Sequence, residues 1–152
     1  MNLTDFINNK IKIGVSEYDY FEIRKTNPTE YEKLSGLELQ YLKNGYVIYK
    51  EKNMDSDYKI HTYIFSGNDL SLLITNHCDT KEKQYSFYTN SKVSKTVTYL
   101  FDTKYSHMEF DRKGEKSVRV EFPQSISEKL SGYKYENGVK ISMGLRELEK
   151  YL

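Results

Sequence analysis

LELQYLKNGYVIYKEKNMDSDYKIHTYIFSGNDLSLLITNH, residues 37–77, is the stretch that decides the fold. Leu37, Leu39 and Tyr41 alternate with polar residues, and this period of two predicts a half-buried strand. Asn44-Gly45 comes next, a pair that accepts positive φ at both central positions of a type I′ turn. We therefore expect a tight hairpin from this first strand into a second one over residues 46–50.

The second half of the same stretch predicts two more strands. Residues 58–65 are rich in aromatic and β-branched side chains, which favour extended backbone, and residues 70–75 are a shorter apolar run. Gly67-Asn68-Asp69 between them has the composition of a tight turn. The whole stretch is therefore predicted to be an antiparallel meander of four strands.

Working outward, the same criteria predict further strands over residues 18–24, 84–89, 95–102, 107–111, 117–122, 133–136 and 139–142. The predicted turns between these strands are Asn90-Ser91, Arg112-Lys113-Gly114-Glu115 and Asn137-Gly138. In residues 95–102, Val97, Tyr99 and Phe101 share one face. Short helices are predicted over residues 3–11, capped by Asn2 or Thr4, over 27–35, as one turn between Ser125 and Gly132, and over 143–151.

These elements predict an α+β fold that is predominantly antiparallel β. Short connections favour antiparallel pairing, so the meander is expected to form a bent sheet, sandwich-like or barrel-like, with short N-terminal, intermediate and C-terminal helices. No repeat, low-complexity run or Pro/Gly/Ser-rich linker divides the chain. A single domain over residues 1–152 is the prediction.

Composition narrows the range of functions. The 152 residues carry 23 basic and 22 acidic side chains, a net charge of +1. This balance gives no indication of nucleic-acid binding, which an overall basic surplus would favour. The chain has one cysteine, Cys78, which excludes an internal disulfide and favours a reducing compartment. No leader and no apolar run of about 18 residues is present. We expect a soluble, cytoplasmic protein without a membrane partner.

The sequence contains no alanine and no tryptophan but has 15 tyrosines. Lys, Asn, Tyr and Ile use A/T-rich codons, whereas alanine uses G/C-rich ones. This bias indicates a low-GC genome, such as that of a Firmicute, its phages or its mobile elements.

The histidines and the cysteine do not form a recognisable site. His61, His77 and His107 lie on three different predicted strands, and Cys78 and Asp79 follow His77 directly. Paired spacings such as Cys-x-x-Cys or His-x-x-x-His, which mark metal sites, are missing. We therefore predict no catalytic residue, no metal and no cofactor, and read the histidines as ordinary side chains.

Three Asp-x-Lys triplets, at Asp79, Asp102 and Asp111, have the form that metal-dependent nucleases use at a strand end. An upstream acid, Glu109 or Asp69, would complete a Mg²⁺ site. With 30% charged residues such triplets also arise by chance. A metal-dependent hydrolase is therefore kept as the second alternative function.

Lysines interleave with tyrosines in several strands, for example in Tyr133-Lys134-Tyr135. Such surfaces stack bases and contact phosphates, so a nucleic-acid-binding or nucleotide-binding β-domain is the first alternative. A barrel mouth lined with Tyr and Lys would also hold a small nucleotide. Acidic neighbours such as Glu51 and Glu136 oppose binding of a phosphate backbone.

An exposed tyrosine-rich sheet with both signs of charge suits protein recognition best, because Tyr combines contact area with a polar group. The leading prediction is a non-enzymatic, stoichiometric inhibitor that occludes a partner protein, of the immunity or phage and mobile-element counter-defence type. The predicted contact residues lie on the strand over residues 58–65 and across its hairpins: Lys59, His61, Tyr63, Tyr46 and Tyr49.

Overall fold

The computed structural model describes residues 2–12, 20–23, 35–53 and 59–152. The chain divides into two compact units, Met1–Asp79 and Thr80–Leu152. The described elements of the first unit are α1 (Leu3–Lys12), β1 (Tyr20–Ile23), α2 (Gly36–Lys43), β2 (Val47–Asn53), β3 (Lys59–Ser66) and β4 (Asp69–His77).

The second unit contains six strands followed by two short helical turns. They are β5 (Glu82–Thr89), β6 (Lys92–Leu100), β7 (Thr103–Phe110), β8 (Lys116–Glu121), β9 (Ser131–Glu136), β10 (Val139–Ser142), α3 (Leu145–Leu148) and a 3₁₀ helix (Glu149–Tyr151). In each unit consecutive strands pair antiparallel, in chain order. The predicted α+β, predominantly antiparallel meander is confirmed, and neither meander closes on itself among its described strands.

The predicted strand at Leu37, Leu39 and Tyr41 is wrong, because this segment is the helix α2. Ser35 and Glu38 form a capping box at its start. The Glu38 backbone N–H donates to Ser35 Oγ at 3.3 Å, and the Ser35 backbone N–H donates to Glu38 Oε2 at 3.4 Å. These bonds satisfy amides that a new helix leaves unpaired, so they outweigh a short apolar alternation.

The predicted Asn44-Gly45 hairpin is wrong for the same reason. Gly45, at φ +87°, donates its N–H to the Leu42 carbonyl at 3.2 Å, and Tyr46 donates to the Tyr41 carbonyl at 3.1 Å. This pair of bonds is a Schellman motif, the usual end of a helix at glycine. The Tyr41 and Tyr46 rings pack at 4.9 Å, which supplies the apolar contact typical of that motif.

Other local predictions hold. Asn137-Gly138 joins β9 to β10 and Asn90-Ser91 joins β5 to β6, each with positive φ at both residues, as a type I′ turn requires. Asn2 caps α1, because its Oδ1 accepts the backbone N–H of Asp5 at 2.8 Å. The predicted helix over residues 27–35 lies outside the described residues, apart from Ser35.

Towards the C-terminus two predictions need correction. Residues 125–128 form only a turn, and Gly132 lies inside β9 instead of ending a helix. A Cβ at Gly132 would lie 2.6 Å from the Arg119 carbonyl oxygen and 2.9 Å from side-chain atoms of Met143 and Leu148. Glycine therefore lets the C-terminal segment pack directly on the strand. The predicted helix over residues 143–151 is shorter, starting at Leu145.

Each unit has its own apolar core. In the first unit Ile48, Ile64 and Leu72 are opposite one another on β2, β3 and β4 and are fully buried. On the α2 side Glu38 is buried and pairs with Lys50 at 3.2 Å. The core of the second unit consists of Val120, Phe122, Met143 and Leu148.

Candidate functional site

Four of the five predicted contact residues share one face of the first unit. Tyr63 on β3 lies opposite Tyr49 on β2, and His61 and Lys59 follow at alternate positions of β3. Phe6 of α1 packs on this tyrosine pair, with ring centroids 4.6 Å from Tyr63 and 5.5 Å from Tyr49. The helix therefore covers the tyrosine half of the face, and all four predicted residues are half-buried.

Two further contacts involve His61 and Tyr46. His61 Nδ1 lies 3.3 Å from Thr75 Oγ1 on the neighbouring strand. Tyr46 is not on the same strand face, because it precedes β2 and packs against Tyr41 of α2. The structure thus groups Lys59, His61, Tyr63 and Tyr49 and leaves Tyr46 apart, and their contact role stays a prediction.

The acids of the three Asp-x-Lys triplets lie in connections, and one has a clear structural role. Asp111 Oδ1 accepts the backbone N–H groups of Lys113 at 2.9 Å and Glu115 at 3.0 Å, which holds the turn between β7 and β8. Asp79 and Asp102 lie in turns. Within residues 2–12, 20–23, 35–53 and 59–152, no three His, Cys, Asp or Glu side chains converge as metal ligands would.

The Tyr133-Lys134-Tyr135 segment carries less free positive charge than its sequence indicates. Lys134 Nζ lies 2.9 Å from Glu147 Oε2 and 3.2 Å from Glu136 Oε1. Two carboxylates therefore offset its charge, which opposes contact with a phosphate backbone. The Tyr133 and Tyr135 rings pack edge to face at 5.6 Å.

Phe101 of the second unit has an unusual position. Phe101 and Asp102 form the two-residue turn between β6 and β7, with φ of 49° and 64°. The Phe101 residue is 70% exposed. A left-handed backbone suits Gly, Asn or Asp, and it costs other residues about 1–2 kcal/mol. Phe101 thus weakens the fold locally and buries little area in return.

The alternation over residues 95–102 predicted that Phe101 would lie beside Val97 and Tyr99, and that prediction is wrong. The strand ends at Leu100 and reverses within two residues, so Phe101 leaves the sheet face. The only local signal for this turn was Asp102, a residue type that tolerates the left-handed region.

Two more apolar side chains are exposed at the same end of the second unit. β8 ends beside Ser106, so the segment after it returns to the end where β6 turns into β7. Phe122 N donates to the Tyr105 carbonyl at 3.1 Å, which joins that segment to β7. Tyr105 is 45% exposed and Ile126 is fully exposed. We call Phe101, Tyr105 and Ile126 the apolar end.

A shallow pocket of about 300 Å³ lies at the apolar end. Its lining residues are Tyr105, Glu121, Phe122, Gln124, Glu128, Lys129 and Ser131. Gln124 Nε2 donates to the Lys104 and Phe122 carbonyls, each at 3.0 Å, and so fixes the segment after β8 against β7. The pocket combines an aromatic wall with side chains of both charges, a composition typical of protein recognition surfaces.

A titratable cluster lies under the C-terminal segment of the second unit. The His107 ring is buried against Tyr151 at 4.8 Å, and its Nε2 is 3.3 Å from Glu109 Oε2, without the alignment of a hydrogen bond. Burial lowers the pKa of His107 more than the Glu109 carboxylate raises it. Burial and Glu109 together raise the pKa of Tyr151. At neutral pH the imidazole and the phenol are therefore uncharged, a state that suits packing.

No helix in the described part of the chain is long and apolar enough to span a membrane. Comparison with known proteins finds no family model, no curated protein and no solved structure that matches this chain.

Proposed function

We propose that this protein is a non-enzymatic binding protein that occludes a partner protein through the apolar end of its second unit. The observation that carries the proposal is the exposed Phe101 on a left-handed turn. A partner protein would explain this side chain, because the contacts that offset its strain would then form in the complex. Exposed aromatic residues of this kind dominate the binding energy of many interfaces.

The composition of the apolar end supports the choice of a protein as partner. Tyr105 and Ile126 add apolar area, while Lys129 and Glu128 at the adjoining pocket give charges of both signs. Exposed apolar side chains together with charges of both signs are the composition of a protein–protein interface. A partner with an apolar recess for Phe101 fits it, whereas a phosphate backbone would be repelled by the two pocket glutamates.

The biological role that we propose is stoichiometric inhibition in the cytoplasm, as in immunity proteins and phage or mobile-element counter-defence proteins. A binding protein inhibits when its contact surface covers the partner's active site or ligand site. Occlusion needs no catalytic group, and the only cysteine, Cys78, is a free thiol. The host machinery and the products of neighbouring genes are the partners to test.

The decisive change is Phe101→Asn, because asparagine tolerates the left-handed turn and removes the aromatic ring. The wild-type protein is used as bait in extracts of the source cells, and each retained protein is then purified and titrated by calorimetry. We expect Phe101→Asn to weaken a true complex by about 30-fold or more, the loss typical of a central interface residue.

Val139→Ser is the matched control, since Val139 is an exposed apolar residue beside the β9–β10 turn. It should leave affinity unchanged, and Phe101→Asn, which relieves the strained turn, should unfold at or above the temperature of the wild type. If no purified partner binds the wild type, or if Phe101→Asn and Val139→Ser bind equally well, the proposal is wrong.

A further inference from the structure

The opposite end of the second unit contains a larger pocket between two hairpin turns. One turn is Asn90-Ser91, between β5 and β6, and the other spans residues 111–115, between β7 and β8. Lys92 Nζ donates to the Arg112 carbonyl at 3.1 Å and links the two turns. The pocket between them is open to solvent and has a volume of about 640 Å³. That volume falls within the range of small-molecule sites.

The charge of this pocket is positive. Among the described residues neither the Lys92 ammonium nor the Arg112 guanidinium is paired with a carboxylate. Asp111 also lines the pocket, but its Oδ1 already accepts two backbone N–H groups of its own turn. The lining therefore carries two cations and one carboxylate, and an anion would compensate the excess positive charge.

The remaining lining gives the anion an apolar neighbour. Phe110 and Val93 are half-buried in the wall, so their exposed surfaces contribute an aromatic ring and an aliphatic side chain. The hydroxyls of Thr89 and Ser94 are bonded to each other at 3.3 Å. Arg112 has the planar donor set that binds phosphate through two parallel hydrogen bonds. An aromatic ring stacks on any nucleobase.

We propose that this pocket binds a mononucleotide, with its phosphate on Arg112 and Lys92 and its base against Phe110. The site is separate from the apolar end, and its test does not depend on the proposed inhibition. The ligand is a small organic phosphate held by the Arg112 guanidinium and the Lys92 ammonium. This part of the chain takes no part in the proposed protein binding.

The test is calorimetric titration of the full chain at low salt with the 5′-mono- and triphosphates of adenosine, guanosine, cytidine and uridine. We expect at least one of them to bind with a dissociation constant below about 5 mM. Arg112→Gln removes the guanidinium and should weaken this binding by about tenfold. Lys92→Gln should weaken the same nucleotide, and added salt should weaken it further. Lys150→Gln, which changes an exposed lysine of the 3₁₀ helix outside both pockets, is the matched control and should leave the nucleotide affinity unchanged.

Three further ligands separate the sources of affinity. The corresponding nucleoside and inorganic phosphate should each bind more weakly than the nucleotide, and Phe110→Leu should weaken the nucleotide without affecting phosphate. Equal affinity for inorganic phosphate and nucleotides would overturn the proposal, as would binding that Arg112→Gln leaves unchanged or no binding at all. If a short single-stranded oligonucleotide binds far more tightly than any nucleotide, and Arg112→Gln weakens it, the ligand is nucleic acid and the mononucleotide proposal is wrong.

Discussion

At the residue scale, His107 is the side chain through which pH acts on the second unit. Its pKa is lowered by burial beneath Tyr151, against the opposing effect of Glu109. Lys95 and Lys104 add to the lowering, and Lys104 Nζ also donates to the Tyr151 carbonyl at 3.0 Å. The folded protein therefore binds the imidazole proton more weakly than the unfolded chain, whose histidines have a pKa of about 6.5.

The sign of the pH effect follows from this difference. Above pH 6.5 both states leave His107 neutral, and its contribution to stability is complete. As the pH falls below about 6.5 the unfolded chain takes up the proton first, so the free energy of unfolding decreases. One such proton changes it by at most about 1.4 kcal/mol per pH unit.

We predict that His107→Gln makes the free energy of unfolding less dependent on pH between 7.5 and 5 than in the wild type. Urea denaturation at several pH values measures it. A slope that survives in His107→Gln would assign the proton uptake to another group.

At the element scale, α2 is defined by its two ends more than by its apolar residues. The capping box at Ser35 and the Schellman motif at Gly45 satisfy backbone groups at both ends of an eight-residue helix. Its side chains are less consistent with burial, because Leu37 is 40% exposed and Glu38 is buried. An isolated helix of this length is unstable in water, so these end contacts and the Glu38–Lys50 pair stabilise it.

We predict opposite effects for two glycine substitutions in this element. Gly45→Ala should lower the free energy of unfolding by about 1–2 kcal/mol, because alanine is strained at φ +87°. Gly36→Ala, at the first helical residue, meets no atom within 4 Å and should be neutral or stabilising by up to about 1 kcal/mol. Urea denaturation followed by circular dichroism gives both values, and equal losses would refute the helix end at Gly45.

At the scale of the whole molecule, the chain contains two compact units, each with its own core. The first is centred on Ile48, Ile64 and Leu72, and the second on Val120 and Leu148. Within each unit, strands pair with their neighbours in sequence, so the contacts are local, a pattern that favours rapid folding. Because the cores are separate, we expect a substitution in one core to destabilise mainly its own unit.

We test this with two matched substitutions, Leu72→Ala and Leu148→Ala. Each removes a buried leucine and should destabilise by about 2–5 kcal/mol. Hydrogen exchange should rise in β2–β4 for Leu72→Ala and in β8 and β9 for Leu148→Ala. If either variant raises exchange evenly over both units, the molecule unfolds as one cooperative body, as expected of the single domain over residues 1–152.

Some features of the candidate site could be read from the sequence, and others could not. The predicted residues Tyr49, His61 and Tyr63 do share a face, since strand alternation is a local property. That α1 places Phe6 on that face is a contact between distant segments, and no spacing in the chain encodes it. The exposure of Phe101 could not be predicted for a related reason. The alternation of residue types in the sequence continues beyond Leu100, where the strand ends.

The sequence by itself determined the antiparallel class, the turns at Asn90-Ser91 and Asn137-Gly138 and the cap of α1, because each depends on the backbone preferences of a few adjacent residues. Only the tertiary structure decided that residues 36–43 are helical and that Phe101 points into solvent. In both places two local patterns competed with similar strength. At α2 the bonds at the two helix ends were joined by Lys50 of β2 beside Glu38. At Phe101 the turn is held by a bond from its backbone N–H to the Lys81 carbonyl, which comes from the segment before β5.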